Sequence, residues 1–440
     1  MIATKPHLSK ETPVTLCWFR RDLRLEDNHA LWQALRSGRP VLPIFIFDSG
    51  ILNALSEKED RRVAFIYSAV EAMDRRLREE YNSGILCLQG STVEVFEKLL
   101  SDYPIAEVCC NEDFEPYAVT RDRRVEQLLA NKGIPLRRYK DQVIFHKDDI
   151  LTAVGKPYSI YTPYSRAWLA KYREGEQRFY PSEELLGNLL KEVPPMLPLA
   201  AISFRDPGFN FPPADPDELV IADYEHTRDL PALEKGTSRM GVHLRFGTVS
   251  IRKLALRASL LSETYLKELI WREFFMQVLW HFPYVVEGPF RKKYEAILWE
   301  NNEVDFVRWC HGTTGYPMVD AGMRELNSTG CMHNRVRMVV ASFLTKHLLI
   351  DWRWGEAYFA AKLLDYDLAA NNGNWQWVAG TGCDAAPYFR IFNPAEQQKR
   401  FDPRQEYIRR WIPELGSSNY PAPMIEHTFA RRRALERYNV

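Results

Sequence analysis

Short apolar runs alternate with helical patterns over the first 140 residues. The runs typical of strands span residues 14–19, 41–47, 85–88, 107–110 and 136–139. Patterns of helical spacing lie near residues 28–37, 61–81, 92–101 and 118–131. Strands that alternate with helices predict an α/β domain with an open parallel five-stranded sheet. Ligands of such sheets usually bind beyond the carboxyl ends of the strands.

The rest of the chain changes character twice. Residues 141–218 are rich in proline and aromatic residues, which is typical of an extended connection between domains. From about Leu219 onward strand patterns vanish and helical spacing dominates. We therefore expect an α/β domain over residues 12–140, a long linker over 141–218 and an all-α domain over 219–440.

Two predicted helices of the last region carry polar and aromatic faces. In the first, over residues 334–350, apolar residues form a stripe typical of a buried core: Val336, Val339, Val340 and Phe343. An amide, a guanidinium and a thioether recur at the same spacing on a different face: Asn334, Arg337 and Met338. The second helix repeats the arrangement with Tyr265, Glu268, Trp271, Arg272 and Phe275. Such faces predict one shared pocket.

Residues 365–377 are more polar than a core helix requires, because they include two aspartates, three asparagines and two tryptophans. Asp365 and Asp367 can accept hydrogen bonds, Asn371 can donate and accept, and the aromatic residues suit a planar heteroaromatic ligand. Trp375 and Trp377, two positions apart, point to nearly opposite sides of a helix. We expect one to line a cavity and the other to be buried behind it.

The segment after the first strand, residues 20–28, is highly charged and contains no GxGxxG fingerprint for a dinucleotide. One interpretation is a surface loop of mutually neutralising charges, with a helix N-cap near Asp27 or Asn28. The other is the wall of a ligand crevice. A further segment, residues 236–241, offers glycines and hydroxyl side chains that can bind a phosphate at a helix start.

Composition narrows the class of protein. The 440 residues are 46% hydrophobic and 26% charged, with a formal net charge of zero, so bulk charge neither predicts nor excludes nucleic acid. The seven cysteines include no CxxC pair, which indicates reduced thiols and no metal site. Because the N-terminus lacks an apolar signal core and no apolar run is long enough to span a bilayer, we expect a cytoplasmic protein that does not bind a membrane. We also expect a monomer.

Several motifs together resemble one family. In chain order they include WFRRDLRLEDN, DYEHTRD, GTSRMGVHLRFG, ELIWREFF, MHNRVRM, DYDLAANNGNWQWVAGTG and DAAPYFRIFNP. This series resembles the photolyase and cryptochrome flavoproteins over about residues 16–415. The resemblance implies an α/β domain, a linker and a helical domain that binds FAD.

The resemblance also implies which residues contact FAD. They are Tyr224, Thr237, Ser238, Arg239, Met240, Gly241, Tyr265, Glu268, Arg272, Asn334, Arg337, Asp365, Tyr366, Asp367 and Asn371. Arg337 is expected to pair with Asp365, and Asn371 stands where the family places a residue beside flavin N5. A neutral amide there cannot deliver a proton as a carboxylic acid would, so we expect Asn371 to favour the fully reduced anionic form, FADH⁻.

Within the family, the residues facing the pocket resemble those of cyclobutane pyrimidine dimer photolyases. Trp271 and Trp377 match the two indoles that hold the dimer, Glu268 matches the carboxyl that bonds it, and Met338 replaces the histidine of six-four photolyases. The implied function is light-driven repair of these dimers in DNA by electron transfer from excited reduced FAD to a flipped-out dimer. Catalytic roles are implied for Glu268, Asn371 and Met338. The residues implied in binding the lesion or DNA are Arg228, Glu268, Trp271, Arg272, Asn334, Arg335, Met338, Trp377 and Gln397.

Other positions match less closely or leave alternatives. Trp299, Trp352 and Trp375 match three tryptophans that relay electrons to oxidised flavin, whereas Tyr265 and Cys331 stand where some dimer photolyases have tryptophan. A second, antenna chromophore is expected in the α/β domain, and deazaflavin, FMN, folate and an empty site all remain open. The alternative functions are a cryptochrome-type blue-light receptor and a six-four photolyase.

Overall fold

The structure is a computed structural model and describes residues 12–175 and 178–440. Its strands are β1 (Val14–Phe19), β2 (Val41–Asp48), β3 (Leu86–Gly90), β4 (Ile105–Asn111) and β5 (Leu136–Tyr139). All neighbouring strands are parallel, in the order β3-β2-β1-β4-β5, and Leu16 of the central strand pairs with Leu42 on one side and Val108 on the other. The five-stranded parallel sheet expected from the sequence is confirmed.

Helices make up most of the remaining regular structure of the described residues. The α-helices are α1 (His29–Leu35), α2 (Ser49–Leu52), α3 (Arg61–Tyr81), α4 (Thr92–Asp102), α5 (Pro116–Ala130), α6 (Tyr161–Arg173), α7 (Glu218–Ala222), α8 (Tyr224–Thr227), α9 (Gly241–Phe246), α10 (Ile251–Leu261), α11 (Glu263–His281), α12 (Glu303–His311), α13 (Pro317–Thr329), α14 (Asn334–Ser342), α15 (Trp352–Lys362), α16 (Leu368–Ala379), α17 (Pro394–Phe401), α18 (Glu406–Trp411) and α19 (His427–Arg437). Short 3₁₀ segments span Ser182–Asn188, Leu199–Ile202, Pro283–Val286 and Lys292–Ala296. The helix-rich region after residue 219 agrees with the expected all-α domain.

The helix expected over residues 334–350 is shorter and changes its winding. α14 ends at Ser342, and a π-helical turn, Phe343–His347, continues it. The apolar stripe is buried as expected, since Val336, Val339, Val340 and Phe343 pack in the core of the helical region. No described helix is long and apolar enough to cross a membrane.

Contacts between residues divide the chain into two compact units. The first comprises the described residues of Met1–His146, Tyr172–Asp215 and Met240–Arg257, and the second comprises Lys147–Lys171, Pro216–Arg239 and Ala258–Val440. The expected linker is therefore shared between the units. The boundaries 12–140, 141–218 and 219–440 describe stretches of chain rather than contact clusters, and they stay a prediction.

The charged segment after β1 is buried, which contradicts its interpretation as a surface loop. Arg24 is 6% exposed and Asp27 is 1% exposed. The charges are neutralised by residues far away in the chain, since Arg20 pairs with Asp122 and Arg24 pairs with Asp141. The N-cap was anticipated correctly: Asn28 caps α1 by accepting a hydrogen bond from the backbone N–H of Leu31.

Candidate functional site

A cleft in the second unit brings together many of the residues expected to form a pocket. The residues from the expected set that line it are Asn334, Arg337, Met338, Asp365, Tyr366, Asp367, Asn371 and Trp375. They lie on α14, on α16 and on the short connection that precedes α16. The cleft encloses about 550 Å³ that protein atoms do not fill, part of it open to solvent. The cleft thus joins the polar faces of α14 and α16, whereas the third face expected in the shared pocket, on α11, contributes no residue to the lining.

Arg337 and Asp365 form the ion pair expected from the sequence. The Arg337 Nη2 atom lies 3.1 Å and 3.0 Å from the two carboxylate oxygens of Asp365. The Nε atom of Arg337 donates to the backbone carbonyl of Met332 at 2.8 Å, which holds the guanidinium in place. The pair puts a fixed positive and a fixed negative group side by side on the cleft wall.

The start of α16 fixes two further polar groups. Asp367 is the N-cap, and its carboxylate accepts from the backbone N–H of Ala370 at 3.1 Å. One turn later, the side-chain amide of Asn371 donates through Nδ2 to the backbone carbonyl of Glu356 at 3.1 Å. This bond assigns the Asn371 amide nitrogen to the protein and leaves its Oδ1 to accept a hydrogen bond from a group in the cleft.

Trp375 and Trp377 differ in burial, as expected for residues two positions apart on one helix. Trp375 lines the cleft and is also the more buried of the two, with 2% exposure, whereas Trp377 is half-buried and does not line it. The Trp375 ring packs against Gly355, where a Cβ atom would overlap the indole.

α11 packs directly against α16. The ring of Phe275 fills the space that a Cβ atom at Gly373 would occupy, so the two helices approach closely at this point. One turn before Phe275 lies Trp271, whose ring is in contact with Phe275 at 5.4 Å between centroids. One turn after Gly373 lies Trp377. Glycine at position 373 therefore brings the two indole-bearing helices together.

Two ion pairs involve arginines that were expected to grip DNA, and the sequence did not indicate either pair. Arg228 lies 2.7 Å from the carboxylate of Glu268, and Arg335 lies 2.7 Å from that of Asp229. Arg335 also stacks over the ring of Phe401 at 4.3 Å. Burial raises the pKa of Glu268 above its ordinary value, although Arg228 opposes the shift.

Three of the residues expected near the phosphates and ribose of FAD contact one another in the second unit. Tyr224 and Tyr265 make an edge-on ring contact at 5.0 Å, and the hydroxyls of Ser238 and Tyr265 are 2.7 Å apart. Tyr265, which stands where some dimer photolyases have tryptophan, is buried. Thr237 is half-buried and Arg239 is exposed with a positive φ of 53°. Met240 and Gly241, at the start of α9, are assigned to the first unit.

The remaining expected residues lie outside the cleft lining. Arg272 is half-buried on α11, and Gln397 on α17 has a buried Oε1 atom without a hydrogen-bond partner. Trp352 begins α15 and is buried, whereas Trp299 is half-buried and packs edge-on against Tyr438 at 5.8 Å. Trp299 and Trp352 line one surface hollow. Burial therefore decreases from Trp375 and Trp352 to Trp299.

Sequence reasoning missed two residues beside the site. Burial raises the pKa of Glu356 to about 7, and this residue supplies the carbonyl that orients Asn371. His333 caps α14, and burial lowers its pKa to about 4, so it is neutral at physiological pH. The motif MHNRVRM contains a possible cap, but nothing in the sequence places Glu356 behind Asn371.

The chemistry of the cleft fits the isoalloxazine ring of FAD. The ring needs partners for imide and ring nitrogens along one edge, and Asp365, Arg337 and the Oδ1 of Asn371 supply acceptors and donors along one wall. Its planar faces need apolar contacts, and Met338 and Trp375 supply them. Asn334, Arg337, Asp365, Asp367 and Asn371 would therefore hold the group.

Comparisons with known proteins agree with this fit. A family model described as the FAD binding domain of DNA photolyase matches residues 265–419, and one described as DNA photolyase matches residues 15–183. A curated relative from a Synechococcus strain, named deoxyribodipyrimidine photo-lyase, is 37% identical over 469 residues, which cover 96% of each chain.

Solved structures agree in the fold. A bacterial class III photolyase from Agrobacterium tumefaciens has a TM-score of 0.84 at 32% identity and covers 99% of each chain. A cryptochrome from Synechocystis has a TM-score of 0.83 at 26% identity, covering 96% of this chain and 99% of its own. Fold alone therefore does not separate repair enzymes from cryptochromes. The chain belongs to the DNA photolyase family of enzymes, and its helical region carries the FAD-binding domain of that family.

Proposed function

We propose that this protein repairs cyclobutane pyrimidine dimers in DNA, using light absorbed by FAD in the cleft. The observation that carries the proposal is that Met338 lines the same cleft as Asn371 and the Arg337–Asp365 pair. Met338 stands where six-four photolyases have a histidine, so an acid–base side chain is lacking at the position that distinguishes those enzymes. The curated relatives named deoxyribodipyrimidine photo-lyase support the same substrate.

The polar wall of the cleft orients the cofactor. Arg337 and Asp365 hold each other rigidly, so their remaining hydrogen-bonding capacity is presented to FAD at little entropic cost. Asn371 presents its Oδ1 because its Nδ2 is engaged by Glu356. Reduced FAD held by these residues would supply, on excitation by light, the electron that opens the cyclobutane ring and then returns. The Asn371 amide is not acidic. Its Oδ1 would accept a hydrogen bond from an N–H group of the cofactor, and the amide would not deliver a proton to the cofactor.

Two indoles and one carboxyl group are proposed to bind the lesion. A dimer inside a duplex cannot reach a buried cofactor and must be flipped out, which costs less for a damaged and weakly stacked base. Trp271 and Trp377 are both half-buried, so each can stack on an extruded base, an interaction typically worth about 1–3 kcal/mol per base. Glu268, with its raised pKa, donates a hydrogen bond to the lesion when protonated.

Arg228 and Arg335 are proposed to exchange partners when DNA binds. Each is held by one carboxylate, Glu268 for Arg228 and Asp229 for Arg335, and each side chain is still partly exposed. A phosphate can compete for a partly exposed arginine, and release of Arg228 would also free Glu268 to meet the lesion. Gln397 and Arg272, both half-buried, complete the proposed set of DNA contacts.

The three tryptophans Trp375, Trp352 and Trp299 are proposed to carry electrons from the surface to oxidised FAD. Their exposures support this order, since Trp375 lines the cleft and Trp299 is the most exposed of the three. Replacing Trp375 with phenylalanine would then stop photoreduction but spare repair by chemically reduced protein. The antenna chromophore, the monomeric state and the cytoplasmic location stay predictions.

The experiment is a comparison of lesions under blue light. Reduced protein is mixed with oligonucleotides that carry either a cyclobutane thymine dimer or a six-four photoproduct, and restored thymines are counted by chromatography. The proposal expects restoration of the cyclobutane dimer only, and none in the dark. Restoration of the six-four product would favour that branch of the family. Photoreduction of FAD without restored thymines would favour the alternative function of a blue-light receptor, since a cryptochrome shares this fold.

A further inference from the structure

Tyr161, at the start of α6, stacks face to face on Trp271. The ring centroids are 3.6 Å apart and the planes differ by 6°. The edge of Phe274 meets both rings, at 5.8 Å from Tyr161 and 5.7 Å from Trp271. Edge-on contacts such as those of Phe274 stabilise aromatic groups beyond the area that they bury. One face of the Trp271 indole is therefore covered by protein.

Both ends of Tyr161 are anchored. Its hydroxyl donates to the backbone carbonyl of Lys267, one turn before Trp271 on the same helix, at 2.8 Å. Its backbone N–H donates to the carboxylate of Asp384 at 3.0 Å. Asp384 lies in the loop that follows α16, and it has a positive φ of 48°. Burial raises the pKa of Tyr161 above its usual range, so the hydroxyl keeps its proton and remains a donor.

A second bond joins the same two segments. The thiol of Cys383 lies 2.9 Å from the backbone carbonyl of Ser159, two residues before Tyr161. The segment that carries Tyr161 is thus fixed to α11, the helix of Trp271. It is also fixed to the loop that follows α16, the helix of Trp377. Tyr161 is therefore held in place by several contacts within the protein.

The covered face of Trp271 restricts how its indole can rotate. An indole with both faces free can rotate about its side-chain bonds, and stacking on a base would then have to freeze that motion. Trp271 is instead covered on one face by Tyr161, with the tilted ring of Phe275 beside it, and it is still only half-buried. A binding group whose rotamer is already set by its neighbours binds with a smaller loss of entropy.

We propose that Tyr161 is a positioning residue that holds the Trp271 indole ready to stack on an extruded pyrimidine. The inference rests on the proposed function, because it takes Trp271 to be one of the two indoles that hold the lesion. It adds a residue from outside the matched FAD-binding region, 265–419, to the lesion site. Tyr161 acts through Trp271 and not on FAD.

The test is binding in the dark, which does not depend on light-driven chemistry. The dissociation constant is measured for an oligonucleotide with one cyclobutane dimer and for its undamaged counterpart. Tyr161→Leu removes the stack and should weaken dimer binding about tenfold, the range of one lost base stack, with little change for undamaged DNA. Tyr161→Phe keeps the ring and should bind the dimer within about threefold of wild type. Tyr158→Leu, in the same segment, is the matched control and should bind as wild type.

A double-mutant cycle separates positioning from folding. In a Trp271→Ala background, Tyr161→Leu should cause no further loss of dimer binding, because its effect passes through the indole. Bound FAD, measured by its absorbance, should be unchanged in Tyr161→Leu. Additive losses in the double variant, wild-type dimer affinity in Tyr161→Leu, or a tenfold loss in Tyr161→Phe would each overturn the inference. A wild-type protein that does not prefer dimer-containing DNA would instead contradict the proposed function.

Discussion

The first compact unit buries Arg24, Asp27, Asp141 and Arg252 together, whereas the second arranges a similar mixture of charges and amides along a cleft. In the first, Arg252 contacts both aspartates, at 2.8 Å for Asp27 and 2.7 Å for Asp141, and Arg24 contacts Asp141 at 2.8 Å. Asp27 and Asp141 are almost completely buried. Burial alone would raise the pKa of Asp141, but the two arginines lower it below its ordinary value.

In the cleft the same residue types are only partly satisfied by protein. The side chains of Arg337 and Asp365 keep about a quarter of their surface exposed, 27% and 26%. Among the described residues Asn371 makes one side-chain hydrogen bond, through Nδ2. A polar group that is fully paired inside the protein contributes to folding, and one that keeps an atom available can bind a ligand. The buried network of the first unit and the cleft of the second unit therefore differ in how completely their polar groups are paired, and not in residue composition.

The largest effect is expected from breaking the closed network. Asp141→Asn keeps the shape but removes the charge that two buried arginines need, so the free energy of unfolding should fall by about 3–5 kcal/mol. Because the pKa of Asp141 is lowered, its stabilisation is present above the ordinary pKa of an aspartate, about 4, and is lost as pH falls through the folded value. Urea unfolding at several pH values measures both effects.

A matched control uses an exposed ion pair. Arg404 and Glu406 lie 3.7 Å apart with 85% and 58% of their side chains exposed, so Arg404→Gln should change the free energy of unfolding by less than about 1 kcal/mol. Equal effects of Asp141→Asn and Arg404→Gln would remove the distinction between the two regions.

A smaller effect is expected from the open cleft, and it should fall on the cofactor. Asp365→Asn removes the partner of Arg337 and one acceptor for FAD, so FAD should bind about 10 to 100 times more weakly, as for loss of one charge-assisted hydrogen bond. Fluorescence titration of stripped protein with FAD measures this loss. Glu303→Gln, on the exposed first turn of α12, is the control and should retain wild-type affinity. An Asp365→Asn protein that unfolds readily but binds FAD normally would show that the pair is structural.

The smallest effect is expected at Glu268, and it should depend on pH. Because its pKa is raised, its protonated form persists to higher pH than that of an ordinary glutamate, and the repair yield should fall as pH rises through the raised value. Glu268→Gln keeps a hydrogen-bond donor at every pH, so its yield should stay near wild type with a flat profile, whereas Glu268→Ala should lower the yield. The quantum yield of thymine restoration at several pH values checks this. A flat wild-type profile would exclude Glu268 as a proton-dependent donor.

Local patterns predicted local structure well, and partners distant in the chain could not be predicted. β1 and β5 begin and end where the apolar runs placed them, and so does α3, because propensity and periodicity act over neighbouring residues. The short α2 was missed, since four residues offer too little periodicity. The burial of residues 20–28 was missed because their partners, such as Asp122 and Asp141, lie about 100 residues away.

The site shows the same division. The cleft-facing residues of α14 followed from helical spacing, and those of residues 365–377 followed from the polarity of that stretch. The Arg337–Asp365 pair followed from the family resemblance. The pairs Arg228–Glu268 and Arg335–Asp229 and the stack of Tyr161 on Trp271 depend on how helices pack, and one sequence does not contain that information.

The central claim is that the partly satisfied cleft of the second unit holds FAD and that repair depends on it. The most direct measurement compares protein stripped of FAD with the same protein after FAD is restored and reduced, both mixed with dimer-containing oligonucleotide in blue light. We predict restored thymines only in the reconstituted sample, and none in the dark or without FAD. Equal restoration by the stripped protein, or none by a reconstituted protein whose FAD is bound and reduced, would contradict the account.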